Sequence, residues 1–119
     1  MKASDIVDLM NKWAHPYLID EWDNTGFQLG DLDKEVNKII VALDLNIEVL
    51  EKALEEKADM IITHHPLIFK PLKAIRKQDY KEGLIMDLIR QDLVVYNAHT
   101  NLDLAAGGVN DVLAEVLNI

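Results

Sequence analysis

The chain has 119 residues and a formal net charge of −9, half of its residues are hydrophobic, and it contains no cysteine. This length suits one domain, residues 1–119, that buries a core without staples, and the lack of cysteine excludes disulfides, thiolate metal sites and a cysteine nucleophile. The acidic balance argues against a nucleic-acid partner, while the absence of a signal peptide and of an apolar run of roughly 20 residues predicts a cytoplasmic protein without a membrane partner.

The first predicted element is an amphipathic helix. Ser4 is a suitable N-cap, apolar residues follow at helical spacing, and His15-Pro16 ends the pattern. We expect Trp13 to anchor this helix in the core and His15 to have no functional role. A polar turn from Asp20 then leads into a short edge strand within residues 26–30. For the acids of this turn, capping and turn roles are commoner than a role behind a metal ligand.

Three β-rich runs alternate with two helices in the middle of the chain. The runs cover residues 38–44, 60–63 and 93–98, and the first has the composition of a strand covered on both faces. Asn46 can cap the helix that follows the first run, and a second helix spans about residues 80–91. This alternation predicts an α/β domain, layered α/β/α, with a mostly parallel sheet.

Two further segments have anion-binding character. No acidic residue lies between Asp59 and Asp79, and among the basic residues of that loop Lys70 and Lys73 could attract an anionic substrate, although a solvated loop is the commoner outcome. The pair Gly107-Gly108 brings backbone amides to the start of a final amphipathic helix, which is a weak indication of an anion site. The apolar stripe of this helix consists of Val109, Val112, Leu113 and Val116.

The candidate functional residues directly follow the three central strands: Asp44 after the first, His64 and His65 after the second, His99 and Asp103 after the third. Ligands bind beyond the carboxyl ends of the strands in an open parallel sheet, so all five are expected at one edge. Imidazole and carboxylate groups suit zinc, manganese, iron or nickel, and such a site can hold two divalent metal ions for hydrolysis. His99 could be a ligand, a partner behind a ligand or a proton carrier.

Five sequence blocks carry a resemblance to a known family: Glu21–Gly26, Val41–Asp44, Ala58–Lys70, Tyr96–Asp103 and Gly107–Asn110. With them the chain resembles the NIF-three-like family (Ngg-one-interacting factor), also known as GTP cyclohydrolase 1 type 2 homologs. The resemblance implies a dinuclear metal site in which His64, His65 and Asp103 are ligands. It also implies two related α/β halves and ring-like hexamers, with a further His and Glu ligand in a C-terminal half.

The chain is similar to the N-terminal half of that family alone. We therefore expect a homo-oligomer or a complementary C-terminal half as partner, and weak or incomplete metal binding by the isolated chain. The expected function is a metal-dependent hydrolase acting on a small anionic or nucleotide-like substrate, with His99 moving protons and Lys70 or Lys73 meeting the anion. The alternative is a metal-binding regulatory or protein-interaction module without catalysis.

Overall fold

The computed structural model describes all 119 residues and contains one four-stranded sheet. Its strands are β1 (Gly26–Leu29), β2 (Ile39–Ala42), β3 (Met60–Thr63) and β4 (Val94–Asn97), in the order β1-β4-β3-β2. Strands β2, β3 and β4 are parallel, and β1 joins β4 in the antiparallel sense. The predicted α/β class and mostly parallel sheet are confirmed.

Helices cover both faces of the sheet. They are α1 (Ala3–Trp13), α2 (Ile47–Glu55), α3 (Tyr80–Arg90), α4 (Thr100–Leu104) and α5 (Val109–Leu117), with a single 3-10 turn at Pro16–Leu18. One core cluster joins α2 and α3 to Ile61 and Val95, and a second joins α1 to Met60, Val94 and Tyr96. Neighbouring strand residues point to opposite faces, which produces the α/β/α layers. No helix combines the length and apolar character that crossing a bilayer would need.

Local side-chain contacts explain where two of the helices begin. The side-chain oxygen of Asn46 accepts the backbone N–H of Val49 at 2.9 Å, so Asn46 caps α2 as predicted. The prediction of Ser4 as the cap of α1 is wrong, because Ser4 already lies inside that helix. The backbone N–H of Lys2 instead donates to Asp5 Oδ2 at 2.8 Å, which satisfies a donor at the helix start.

Two predictions of burial are also wrong. Trp13 is 50% exposed, and its indole N–H donates to the carbonyl of Ala106 at 3.0 Å instead of anchoring the core. Val41 is 76% exposed because β2 is an edge strand and α1 packs over β3 and β4 only. The face of β2 next to α1 is therefore uncovered and not buried on both sides as its composition suggested.

Helix α5 exposes the apolar stripe that the sequence predicted. None of its residues is buried, and the four stripe residues are all exposed: Val109, Val112, Leu113 and Val116. A helix of this pattern normally buries its stripe against another element. In this chain the stripe is open to solvent and forms an apolar surface.

Candidate metal centre

Three imidazoles converge at the carboxyl edge of the parallel strands. His64 and His65 directly follow β3, and His99 lies two residues after β4. The ring centroids are 5.1 Å apart for His64 and His65, 5.2 Å for His64 and His99, and 5.6 Å for His65 and His99. One nitrogen from each ring lies within 4.8 Å of the other two. We call this group the histidine cluster.

Every ring of the histidine cluster has its Nδ1 atom at hydrogen-bond distance from an oxygen of the chain. These oxygens are Ala98 O at 2.9 Å from His64, Asp44 Oδ1 at 2.7 Å from His65, and Asp23 Oδ1 at 2.9 Å from His99. A carbonyl or an ionised carboxylate only accepts, so Nδ1 carries the proton and donates in each ring. The lone pair of each Nε2 is consequently available to a metal ion or a proton.

The two adjacent histidines reach the same cluster because regular pairing ends at Thr63. The hydroxyl of Thr63 donates to the carbonyl of His65 at 2.8 Å, across the bend that follows β3. The backbone N–H groups of His64 and His65 donate to Ala42 and Leu43, at 3.3 Å and 3.0 Å. In a regular strand the two side chains would point to opposite faces, so the bend is needed to bring both rings to one site.

Asp103 is brought to the cluster by the short helix α4, an element that the sequence did not predict. The N–H of Asp103 donates to the carbonyl of His99 at 3.1 Å, so the two residues are one helical turn apart. Oδ1 of Asp103 lies 3.5 Å from Nε2 of His64. This carboxylate therefore faces the nitrogen that His64 keeps free.

Asp23 is a buried carboxylate behind His99. Its side chain is 0% exposed, and it accepts hydrogen bonds from His99 Nδ1 at 2.9 Å, Thr100 Oγ1 at 2.7 Å and the backbone N–H of Thr100 at 3.3 Å. Burial raises the pKa of the Asp23 carboxyl, but the hydrogen bonds from His99 and Thr100 outweigh it and hold that pKa below its ordinary value. Asp23 is thus a fixed negative charge that orients the His99 ring.

The sequence favoured a turn or capping role for the acids before β1, and Asp23 does accept the first N–H of a helix, α4. The helix is 77 positions later, so no local pattern indicates the contact. The signal that could have found it is the direction of β1. Gly26, the first residue of β1, pairs with Asn97, the last of β4, so the residues preceding an antiparallel strand lie at the same edge as those following a parallel one.

The basic loop, the Gly107-Gly108 pair and His15 are also placed by the structure. Arg76 and Lys77 form ion pairs with acids at 2.9 Å and 2.8 Å, whereas Lys70 and Lys73 are exposed and form no ion pair. The N–H of Gly107 donates to a carboxylate of the chain itself, Asp111 Oδ2 at 2.7 Å, so that amide is not open to an external anion. His15 packs against Tyr17 with ring centroids 4.2 Å apart and is not part of the histidine cluster.

A mostly parallel α/β sheet with three imidazoles and a carboxylate at its carboxyl edge defines an α/β protein whose site has the donor composition of a divalent-metal centre. Comparison with known protein families identifies the family. The model of the Duf34/NIF3 (NGG1p interacting factor 3) family matches residues 1–119, and the chain belongs to this family.

Several relatives named GTP cyclohydrolase 1 type 2 homolog match nearly the whole chain. The one from Methanocaldococcus jannaschii is 42% identical over 120 residues, covering 100% of this chain and 48% of that relative. The one from Listeria innocua is 43% identical over 111 residues, covering 93% of this chain and 30% of that relative. The chain therefore spans about a third to a half of the length of these relatives.

Solved structures of similar proteins have the same fold. A Bacillus cereus protein related to NIF3 superposes with a TM-score of 0.95 at 42% identity, covering 100% of this chain and 33% of that one. Reduced HcgD from Methanocaldococcus jannaschii superposes with a TM-score of 0.92 at 40% identity, covering 100% of this chain and 48% of that one.

Proposed function

We propose that this chain supplies a divalent-metal site to a metal-dependent hydrolase that acts on a small anionic or nucleotide-like substrate. The names of the relatives support a hydrolase-like role. The observation that carries the proposal is the histidine cluster, in which each Nδ1 is engaged by an oxygen of the chain while the three Nε2 atoms remain available. Such hydrogen bonds behind a ring are the usual support of a metal-ligating histidine.

The proposal assigns two ions to this donor set. In the proposal His64, His65 and Asp103 are the ligands, and zinc, manganese, iron or nickel are the candidate metals. The three nitrogens of the histidine cluster lie within 4.8 Å of one another, and the ions of a two-metal site lie roughly 3.5–4 Å apart. Donors this close together can therefore serve one ion or a pair.

When bound, the ions supply the Lewis acidity that makes water nucleophilic near neutral pH. The proposed role of His99 is proton transfer. Asp23 fixes the proton on Nδ1 of His99, so Nε2 is the atom that accepts a proton from the reacting group and later returns it. If His99 is instead a third nitrogen ligand, its removal lowers metal affinity and not turnover alone, which the experiment below distinguishes.

The basic loop supports an anionic substrate. Lys70 and Lys73 have no carboxylate within ion-pair distance, unlike Arg76 and Lys77 in the same loop. A charged side chain without a partner in the chain is free to meet an anion. In the proposal Lys70 and Lys73 attract the negatively charged group of the substrate towards the histidine cluster.

One observation favours a second candidate, a metal-binding regulatory or protein-interaction module without catalysis. The exposed apolar stripe of α5 is a surface of the kind that partners cover. A second copy of this chain, or a complementary C-terminal half, is the proposed partner. Analytical ultracentrifugation of the chain and of a Val112→Glu/Val116→Glu variant tests the first of these partners. We expect self-association of the wild type and a monomer for the variant, and a monomer in both cases would contradict self-association through this stripe.

Metal titration of substituted chains tests the main proposal. Calorimetry with zinc and with manganese should show affinities lowered at least tenfold by His64→Ala and by Asp103→Ala, because each removes a ligand. His15→Ala is the matched control, since His15 lies outside the histidine cluster, and it should bind like the wild type. His99→Ala should retain metal and lose phosphate-ester hydrolysis. Equal metal affinity in the wild type, His64→Ala and Asp103→Ala would contradict the proposal.

A further inference from the structure

Two large aromatic rings stand exposed beside the histidine cluster. Trp22 is 62% exposed and Phe69 is 40% exposed. The ring of Trp22 is nearly perpendicular to that of His99, at 87° with centroids 6.2 Å apart, and inclined by 65° to that of Phe69 at 6.3 Å. Exposed aromatic rings that gather at one place are characteristic of ligand contact surfaces.

The two rings come from loops that hydrogen bonds join. Trp22 lies in the turn before β1, and Phe69 lies in the loop after β3. The side-chain amide of Asn24 donates to the carbonyl of Ile68, and the N–H of Ile68 donates to Gln28 Oε1 at 3.0 Å. Both contacts hold the backbone next to Phe69 against the segment that follows Trp22, so the two loops are kept together.

The orientation of these rings leaves space for a third. Phe69 and His99 both approach Trp22 at steep angles, and neither ring stacks parallel to the indole. A face of the indole is therefore open to solvent. His99, the neighbour of Trp22, has its centroid 5.2 Å and 5.6 Å from the other two imidazoles. A planar group stacked on Trp22 is therefore within the reach of one charged substituent from the cluster. Lys70 directly follows Phe69 and forms no ion pair.

We propose that Trp22 and Phe69 form a docking surface for the ring of an aryl or heteroaryl phosphate, whose phosphate group meets the histidine cluster and Lys70. This inference rests on the proposed function for the position of the phosphate, and it narrows the substrate class from small anions to ring-bearing ones. Stacking on Trp22 selects the ring, and charge places the phosphate. Each of the two parts of the ligand thus has its own recognition element.

A comparison of two phosphate monoesters tests the docking surface. Phenyl phosphate and methyl phosphate have similar charge and differ in the ring, so calorimetric titration of the manganese-loaded chain measures the contribution of the ring. We expect phenyl phosphate to bind about tenfold more tightly, as one stacked ring does elsewhere. Trp22→Ala should remove this preference and leave manganese affinity unchanged, and Trp22→Phe should retain part of it. Tyr17→Ala, which removes an exposed ring outside the cluster, should keep the full preference.

Equal affinity for the two esters in the wild type, or an undiminished preference in Trp22→Ala, would overturn the inference. If the wild type does not bind manganese, the proposed function alone is contradicted. The docking surface is then tested by NMR, with the indole N–H resonance of Trp22 in the metal-free chain as the readout. A shift with phenyl phosphate and none with methyl phosphate keeps the docking surface, whereas no shift with either ester, or a shift caused by protein concentration alone, overturns it.

Discussion

Nδ1 of His99 lies 2.9 Å from Oδ1 of Asp23, although the two residues are 76 positions apart. The contact joins the turn before β1 to the segment after β4, and the Asp23 side chain is excluded from solvent. A second pair, His65 and Asp44 at 2.7 Å, has both side chains about half exposed. The site therefore contains two carboxylate–imidazole pairs, one with a buried carboxylate and one in contact with water. We expect the loss of each carboxylate to have a different effect.

Substitution of the buried carboxylate should lower turnover and leave metal binding intact. In Asp23→Asn the charge that orients the proposed proton carrier His99 is lost, so we expect phosphate-ester hydrolysis to fall about tenfold to a hundredfold, whereas zinc affinity should stay at the wild-type value as in His99→Ala. Asp20→Asn, an exposed acid in the same turn, is the control. Hydrolysis by Asp23→Asn at the wild-type rate would show that His99 does not depend on this carboxylate.

Substitution of the exposed carboxylate should weaken metal binding only slightly. Asp44→Asn removes the partner of His65, but water screens this pair and replaces part of the hydrogen bond. We expect less than about a tenfold loss of zinc affinity, and the loss should shrink at high salt because exposed charges are screened. Parallel titrations at low and high salt measure both quantities. A loss of more than about tenfold, or one that does not change with salt, would contradict the screening of this contact.

Asp59 should make folding stability depend on pH in the acid range. Its carboxylate accepts the backbone N–H groups of Asn37 at 2.8 Å and Lys38 at 3.1 Å, and chiefly the first of these bonds holds its pKa below the ordinary value. A lowered pKa gives stabilisation that is complete above the unfolded-state pKa of about 3.9 and is lost as the pH falls through the lower folded-state pKa.

Urea unfolding at several pH values checks this. Asp59→Asn should lower the free energy of unfolding at pH 7 by about 1–2 kcal/mol, and it should flatten the decline below about pH 4. The control is Asp8→Asn, an exposed acid of α1. Identical pH profiles for the wild type and Asp59→Asn would contradict the assigned cause.

Gly83 should resist replacement by alanine. Helix propensity alone predicts that alanine stabilises the interior of α3 by up to about 1 kcal/mol. A Cβ at Gly83 would, however, lie 2.7 Å from the carbonyl oxygen of Lys77, so the backbone must shift. We expect Gly83→Ala to lower the free energy of unfolding by about 1–3 kcal/mol. Lys81→Ala, an exposed position of α3, should change it by less than about 0.5 kcal/mol, and a stabilised Gly83→Ala would refute the close approach.

Local features of the sequence were sufficient for most of the secondary structure, except for α4 and the start of α1, and they failed where distant segments decide. Strand β3 has the predicted bounds of residues 60–63, and Asn46 caps α2, because each depends on neighbouring residues only. The exposure of Trp13 and Val41 depends on which part of the sheet α1 covers. No local sequence pattern indicates which part that is. Gly83 is a similar case, since its hydrogen side chain is required by a loop carbonyl and not by the helix.

The candidate site shows the same division. The convergence of His64 and His99 follows from the rule that parallel strands end at one edge, and their rings are 5.2 Å apart. That rule did not predict Asp23 at the site, because Asp23 precedes an antiparallel strand. The helix α4, which turns Asp103 towards His64, has only five residues, too few for a periodic pattern to emerge. The roles of these residues as ligands stay predictions.

The strand order β1-β4-β3-β2 also constrains the time at which the cluster can assemble during synthesis. Strand β1 has no neighbour in the sheet until β4 has emerged, because β4 is its only hydrogen-bonded partner. The segment with Asp23 can therefore be positioned only after β4, the last strand, has been synthesised. The carboxylate of Asp23 reaches His99 when β1 pairs with β4. Of the three imidazoles only His64 and His65 are present in the nascent chain before β4, so folding must complete the histidine cluster before an ion bound there would stabilise the fold.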